Sequence, residues 1–474
     1  MATESWVPYI KYNWVCDDAR LLNRASELTE QYLSGYSRKP NKDFHQAFVV
    51  VLTSLQVLTG FKPNAEIMIP LDRNLYSGNT RRNLTYTNDI HKCLSWMTAE
   101  KQGYLVKTGG VSFARDKQGR TTTWLPSNYL ISKTLADGPI ASHKSIYRNP
   151  LLGYVELREE VIRQGKKAKQ SMPIPDDQAE LHSDAIASTE ATFAAYDSMM
   201  KQVDIKLGST PLFPAMISMV RIFSRGDMRL GGRLYSPIQN LKSEARKYLS
   251  FDGDPVVEID YAAIHPSMLY HQKNISLSDD PYTIDGFRRS DVKLAFNIMI
   301  NRSGGNSAAN TVARELDCPV DDAKALEEAV LNRHSAISEH FNSDAGLRLQ
   351  RLDSEITLSI LKTFVANKRP IITIHDSAVV SVRDTEALKL AMESAYADVV
   401  KKRFNEAMTM NAIKVDSLEF TPCLDALIVA SLNGTLEGDD YADDTWDKSI
   451  SKNAGTQCPS DLHSYQYLEN ADDC

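Results

Sequence analysis

The chain runs to 474 residues, 42% hydrophobic and 24% charged. That globular balance excludes wholesale disorder, collagen-like repeats and coiled-coil rods, and leaves room for roughly two to four domains of about 100–200 residues. The net charge of −7 is unevenly spread: ten acidic residues and two lysines follow Thr435, so the tail carries −8 and the body +1. Overall charge therefore does not exclude a nucleic-acid partner, because basic patches on a near-neutral body still meet phosphate. No apolar run approaches the roughly 20 residues of a membrane span, and no basic n-region precedes an apolar stretch between Met1 and Tyr12. The cysteines at 16, 93, 318, 423, 458 and 474 form no CxxC pair. A cytosolic chain with free thiols, no zinc knuckle and no membrane partner is expected.

Residues 43–59 read as a helix, with Ala47, Phe48, Val51, Leu52, Leu55 and Leu58 at helical spacing and Gly60 as the stop. A turn-rich segment, Asp72 to Thr85, follows. Thr87 then caps a second helix with the stripe Ile90, Cys93, Leu94 and Met97, ended by Gly103. Next come Tyr104-Leu-Val-Lys, Val111-Ser-Phe-Ala, the turn Lys117-Gln-Gly-Arg120 and Thr121-Thr-Thr-Trp-Leu125. Helix, turn, helix and Gly-tipped β-ribbon is the order of a winged helix-turn-helix over residues 1–135. Arg81, Arg82, His91, Lys92 and Lys101 surround its second helix, while Arg115, Lys117 and Arg120 sit on the wing, which suits DNA. Such domains also serve as plain protein contacts.

Residues 136–176 read as a linker, with the basic run Arg163, Lys166, Lys167 and Lys169 before Pro173-Ile-Pro175. A helical stretch over 177–209 precedes the largest region, 210–435, and the acidic tail 436–474 reads as disordered.

Two short strands each deliver an aspartate to an abrupt end. One is Asp254-Pro-Val-Val-Glu-Ile-Asp260, followed by Tyr261-Ala-Ala-Ile-His265-Pro266. The other is a hairpin, Pro370-Ile-Ile-Thr-Ile-His375-Asp376-Ser-Ala-Val-Val-Ser-Val382, with the carboxylate at its apex. Two carboxylates at strand ends can hold a pair of Mg²⁺ ions about 3.5–4 Å apart, the arrangement used for in-line phosphoryl transfer. Between them, Arg289, Lys293, Asn297 and Asn301 stand four apart on one helical face, able to grip a triphosphate. Glu258 shares the face of Asp260 and is expected in a structural ion pair, with a role as third carboxylate as the alternative.

In this order the segments resemble the palm and fingers of family A DNA polymerases and the related single-subunit phage-type RNA polymerases. Asp260-Tyr-Ala-Ala-Ile-His is similar to motif A, D-Y-S-Q-I-E. Arg289 to Asn301 is similar to motif B, R-x3-K-x7-Y-G, and His375-Asp376-Ser377 to motif C. Gly232-Arg233-Leu-Tyr-Ser-Pro-Ile-Gln-Asn240-Leu241 resembles the G-R-L-S-S…N-L-Q stretch, and Leu349-Gln350-Arg-Leu-Asp-Ser-Glu355-Ile356 the M-Q-G-T-A-A-D-I helix.

The resemblance implies an α+β fold. A right-hand polymerase palm with small fingers and a helical thumb (177–209) would follow the winged helix. It implies that Asp260 and Asp376 ligate two Mg²⁺ ions, with Mn²⁺ as the substitute. Arg289 and Lys293 would bind the incoming triphosphate, and Lys293 would also be a proton donor to pyrophosphate. Tyr261, His265, Asn297 and Asn301 would line the nucleotide. Arg233 would reach the primer–template minor groove, Asn240 and Gln350 the nucleic acid, and His375 the primer terminus.

Several positions depart from the family pattern. His265 replaces the motif A glutamate that helps exclude ribonucleotides, Asn301 the motif B tyrosine, and Ser377 the second motif C acid, as in the RNA polymerase branch. The choice between dNTP and rNTP is therefore open. The implied partners are DNA template and primer, nucleoside triphosphates and replication proteins. The implied setting is the cytoplasm of a bacterium, or a phage or mobile element. Nothing in the first 200 residues resembles a 3′–5′ exonuclease. The leading expectation is a compact DNA-templated DNA polymerase with primase ability as an extension. The alternatives are a primase or RNA polymerase, and a non-catalytic DNA-binding initiator or regulator built on a polymerase-like shell.

Overall fold

The computed structural model describes residues 14–37, 44–61, 66–69, 87–99, 102–107, 114–115, 121–123, 127–131, 142–163, 166–277, 279–304, 307–404 and 413–416. The fold is mixed α and β, in two compact units: 1–278 with 347–439, and 279–346 with 440–474. No described helix is long and apolar enough to cross a membrane.

The first unit begins with β1 (Trp14–Cys16) and α1 (Ala19–Leu33), whose N-terminus is capped by Asp18 accepting the Arg20 amide at 3.0 Å. Leu21, Ala25, Leu28 and Tyr32 form its buried stripe, a helix not anticipated above. In α2 (Phe44–Phe61) the residues from Ala47 to Leu52 are all buried, as befits a central helix packed by α1 and by α3 (Thr87–Met97). The strands β2 (Glu66–Ile69), β3 (Leu105–Lys107) and β6 (Ser127–Ile131) form an antiparallel sheet in the order β2-β6-β3. Between β3 and β6, β4 (Ala114–Arg115) and β5 (Thr121–Thr123) pair as a ribbon. The two expected helices and the ribbon are thus present, while the expected turn segment 72–85 lies outside the described residues.

The expected linker is not one. Residues 136–176 contain β7 (Ile146–Arg148), paired with β1, then β8 (Val155–Arg163) and β9 (Lys166–Met172), a hairpin in full antiparallel register. After α4 (Asp176–Leu181), α5 (Ser183–Met200), β10 (Ile205–Leu207) and β11 (Thr210–Pro211) come β12 (Val220–Ser224) and β13 (Asp227–Tyr235). The hairpin joins these last two in a sheet of order β13-β12-β8-β9. Leu157 and Met172, opposite each other, pack on Phe223 and Met228, and Glu190 of α5 accepts the Tyr154 and Val155 amides at 2.7 and 3.1 Å. Lysines and flanking prolines disguise strands on which Leu157 is buried and Val155 and Met172 are partly buried against the same cluster. The expected thumb segment, 177–209, is α5 with its flanks, and β10 at its end belongs to the central sheet.

That sheet is completed by α6 (Ser243–Arg246), β14 (Leu249–Phe251) and β15 (Asp254–Tyr261), followed by α7 (Ile264–Gln272). The second unit holds α8 (Arg289–Asn301), α9 (Ala309–Leu316) and α10 (Val320–Arg333). The chain re-enters the first unit along α11 (Ala345–Ala366), then forms β16 (Ile371–Ile374), β17 (Ser377–Ser381), α12 (Thr385–Phe404) and β18 (Ile413–Asp416). The sheet order is β11-β10-β14-β15-β17-β16, and β18 pairs with the far end of β15. The core of this layer is Ile259, Ile371, Ile372, Val379 and Val380, sealed by α5, whose buried Tyr196 donates to the Ile371 carbonyl at 2.9 Å.

Candidate active site

The two aspartates come together by register. β15 runs antiparallel to β17 with Asp260 opposite Ser377, the residue after Asp376. Ile374 pairs with Ser377, so His375 and Asp376 alone make the turn between β16 and β17. His375 takes φ +54°, the left-handed region that a two-residue hairpin demands and that few non-glycine residues adopt. Thr357 of α11 donates to the His375 carbonyl at 3.0 Å, and Tyr235 packs edge-on against the His375 ring at 5.8 Å. Both aspartates are half-buried at the sheet's end. On the other edge of β15, Asp260 stands opposite Lys414 and Glu258 opposite Asp416, placements that nothing local in the sequence signalled.

Glu258 lies in an ion pair, as expected. Arg246 grips it with two prongs, Nε to Oε2 at 2.9 Å and Nη2 to Oε1 at 2.6 Å, while Nη1 holds the Leu241 carbonyl at 2.7 Å. Ser377 Oγ donates to Glu258 Oε1 at 2.8 Å. A charged carboxylate two residues from Asp260 is thus neutralised locally. Among the described residues no cluster of three or more His, Cys, Asp or Glu forms a metal cage. One carboxylate at the end of β15 and one in the adjacent β16–β17 turn are a donor set that would suit Mg²⁺, which leaves its remaining positions to water and phosphate oxygens.

Arg233 does not present itself to a groove. It is buried, donating to Asp353 through Nε at 3.1 Å and Nη2 at 2.6 Å, and His265 Nε2 meets the same carboxylate oxygen at 2.8 Å. Burial alone would lower the Arg233 pKa, but the Asp353 carboxylate overrides it and holds the guanidinium above its ordinary range. Burial likewise pushes against the Asp353 charge, yet Arg233 and His265 keep its carboxyl below the usual value. The turn inward is made by Gly231 and Gly232, at φ +70° and +82°, where the β12–β13 register slips. A Cβ on Gly232 would stand 2.8 Å from the Phe223 ring. Neighbouring Arg221, buried against Thr189, Ser354 and the Gly232 carbonyl, is pushed down to about 9 by burial and by Arg351.

Tyr261 needs a correction. Expected at the nucleotide, it alternates to the face opposite Asp260, is buried, and donates to the Met392 carbonyl of α12 at 2.7 Å. Gln350 is also buried, on α11, and Asn240 is half-exposed at the end of the 3₁₀ turn Pro237–Asn240. Lys92 on α3 bonds Asp89 at 2.9 Å. Arg115 lies on β4, whereas Arg81, Arg82, Lys117 and Arg120 fall outside the described residues.

In the second unit α8 has the bounds read from the sequence. Val292, Ala295, Phe296, Met299 and Ile300 bury, leaving Arg289 and Asn301 exposed and Lys293 and Asn297 half-exposed on the polar side. Arg289 bonds Asp280 at 2.5 and 3.0 Å, and both Arg289 and Lys293 sit over the Tyr282 ring, at 5.2 and 5.9 Å. The Arg289–Asp280 pair is exposed, so exchanging its carboxylate for a phosphate costs little.

Behind this face His334 is fully buried between Phe296 and Phe341, with Nε2 at 2.9 Å from the Pro281 carbonyl. Burial holds it down at about 4. The unfolded chain therefore takes up a proton that the folded one refuses. Stability is complete above the ordinary histidine value near 6.5 and falls, by up to about 3 kcal/mol, as pH drops towards 4. Denaturant unfolding of His334→Gln between pH 7 and 4 should lose this part of the slope, and a slope identical to wild type would refute the assignment.

No family model and no curated protein matches the chain. Among solved structures it is similar to the POL domain of Pol1 from M. smegmatis in complex with DNA primer-template and dNTP. The identity is 11% and the TM-score 0.30, over 85% of this chain and 66% of that one, so the chain spans just under two thirds of that domain. A likeness of that size supports no inference about the site.

Proposed function

We propose that the protein is a template-directed nucleotidyltransferase, a compact DNA polymerase without an exonuclease, on the register that sets Asp260 beside the Asp376 turn. In this reading the central sheet is the palm, α5 the thumb segment, and the second unit the fingers. The N-terminal sheet and ribbon form the wing of a DNA-recruiting winged helix, supported by the strand order β2-β6-β3.

Asp260 and Asp376 would hold two Mg²⁺ ions, with Mn²⁺ as substitute. When bound, these lower the pKa of the attacking hydroxyl and neutralise the leaving pyrophosphate. The chain's own groups do the rest. Arg289 exchanges Asp280 for the triphosphate, and Lys293 adds a second cation and a proton donor to the departing pyrophosphate. His375, fixed through its carbonyl by Thr357, borders the primer terminus. His265, tethered to Asp353, stands near the sugar, with Asn297 and Asn301 along the nucleotide. Asn240 and Gln350 are proposed on the nucleic-acid side with Arg81, Arg82, Lys92, Arg115, Lys117 and Arg120. Arg233, expected at the minor groove, is buried on Asp353 and is not proposed as a direct contact.

Ser377 favours a second reading, a primase or RNA polymerase. Extension of a labelled primer on a single-stranded template with Mg²⁺, run with dNTPs, with rNTPs and without primer, separates the two. Primer-dependent dNTP products establish DNA synthesis, and rNTP or primer-free products establish the second reading. Silence in every lane with duplex binding retained leaves a non-catalytic DNA-binding protein. Lys293→Ala should raise the triphosphate KM by roughly 10–100-fold, the worth of a charge-assisted bond. An unchanged KM and kcat would remove it from the site.

A further inference from the structure

Asp260 shares its strand face with a third carboxylate, and that carboxylate is occupied. Glu258 is two residues away, close to buried, and bonded by both prongs of Arg246 and by the hydroxyl of Ser377, which stands opposite Asp260. The Leu241 carbonyl fixes the third nitrogen of Arg246, so the guanidinium is held from two sides. Divalent-cation affinity rises with the number and charge of carboxylate ligands. A site of three carboxylates would bind Mg²⁺ more tightly and repel an incoming triphosphate more strongly than a site of two.

We propose that Arg246 sets the carboxylate count of the site: by pairing with Glu258 it withholds a third metal ligand from the Asp260–Asp376 pair. The proposal rests on the two-aspartate reading above. Arg246 is a positioning residue here, and Glu258 a latent ligand for a divalent cation. The effect has a sign that a purely structural ion pair lacks, because breaking the pair from the arginine side should improve metal binding, whereas removing Glu258 should not.

The test is Mn²⁺ binding to the full chain without substrate, followed by electron paramagnetic resonance of the free ion, with Mg²⁺-induced shifts in thermal unfolding alongside. Arg246→Gln should bind Mn²⁺ about tenfold more tightly than wild type and show a larger upward Tm shift with Mg²⁺. Glu258→Gln should bind as wild type, and the double variant should return to wild-type affinity. No gain in Arg246→Gln, or a gain that survives in the double variant, overturns the proposal. If Arg246→Gln fails to fold, Arg246→Lys keeps the charge and loses the two-pronged grip, and a gain there reversed by Glu258→Gln decides in the same way. Loss of wild-type Mn²⁺ binding in Asp260→Asn tests the aspartate site itself. The Arg246 comparison is made among variants that retain both aspartates, so the two failures are distinguishable.

Discussion

Asp260→Asn and Asp376→Asn should each abolish nucleotide incorporation, by more than the roughly 100-fold that loss of an outer-shell partner costs at a metal site. Asparagine keeps the size and hydrogen-bonding shape of the side chain while removing the charge that holds the ions. Thermal unfolding and duplex binding should stay close to wild type, because both residues are half-buried, Asp260 at a strand end and Asp376 in a turn, rather than in the core. Primer extension under single-turnover conditions is the measurement. Retained synthesis in either variant would end the two-aspartate reading. Loss of folding in both would show that the pair is structural.

The largest stability effect is expected at Asp353. Its side chain is 1% exposed and that of Arg233 9%. Asp353→Ala leaves a guanidinium buried with no counter-charge and releases His265, a loss of about 3–5 kcal/mol. Replacing both partners with apolar residues, Asp353→Leu with Arg233→Met, removes the stranded charge and should recover most of that loss. Urea unfolding of the two singles and the double closes the cycle. A double variant no more stable than Asp353→Ala would mean that shape, rather than charge, is what the site requires.

Much of the framework of the candidate site was legible because its parts are local. The β-branched run ending at Asp260, the hairpin around Asp376 and the four-residue spacing of α8 each declare themselves within about a dozen residues, and all three elements are present. Strand alternation sets Glu258 on the face of Asp260, and the expected ion pair is found there, with a partner the sequence does not name. The Asp353 link to Arg233 and His265 spans 120 and 88 residues, and no local pattern encodes such a meeting. Arg246 and Asp280 were missed in the same way, as ordinary surface charges until the fold gave them partners. The β8–β9 hairpin was lost for a different reason: lysines and nearby prolines outweighed the alternation of Val155, Leu157 and Val161, which Glu159 interrupts. In α1 the signal was present, since Asp18 and the spacing of Leu21, Ala25, Leu28 and Tyr32 are sufficient to call a helix.

The placing of β18 has a consequence for biosynthesis. Asp260 sits on a strand whose neighbours on its two sides are residues 377 and 414. At about 5–20 residues per second, roughly 8–30 s separate the emergence of Asp260 from that of its last neighbour. Throughout that interval the nascent chain carries an unpaired strand edge beside its acidic residues, the kind of edge that recruits foreign strands. Among the described strands of the first unit, the one that covers the Asp260 edge is therefore the last to be made, and a ribosome that stops before codon 413 releases a chain whose earlier elements are complete but whose Asp260 edge is open.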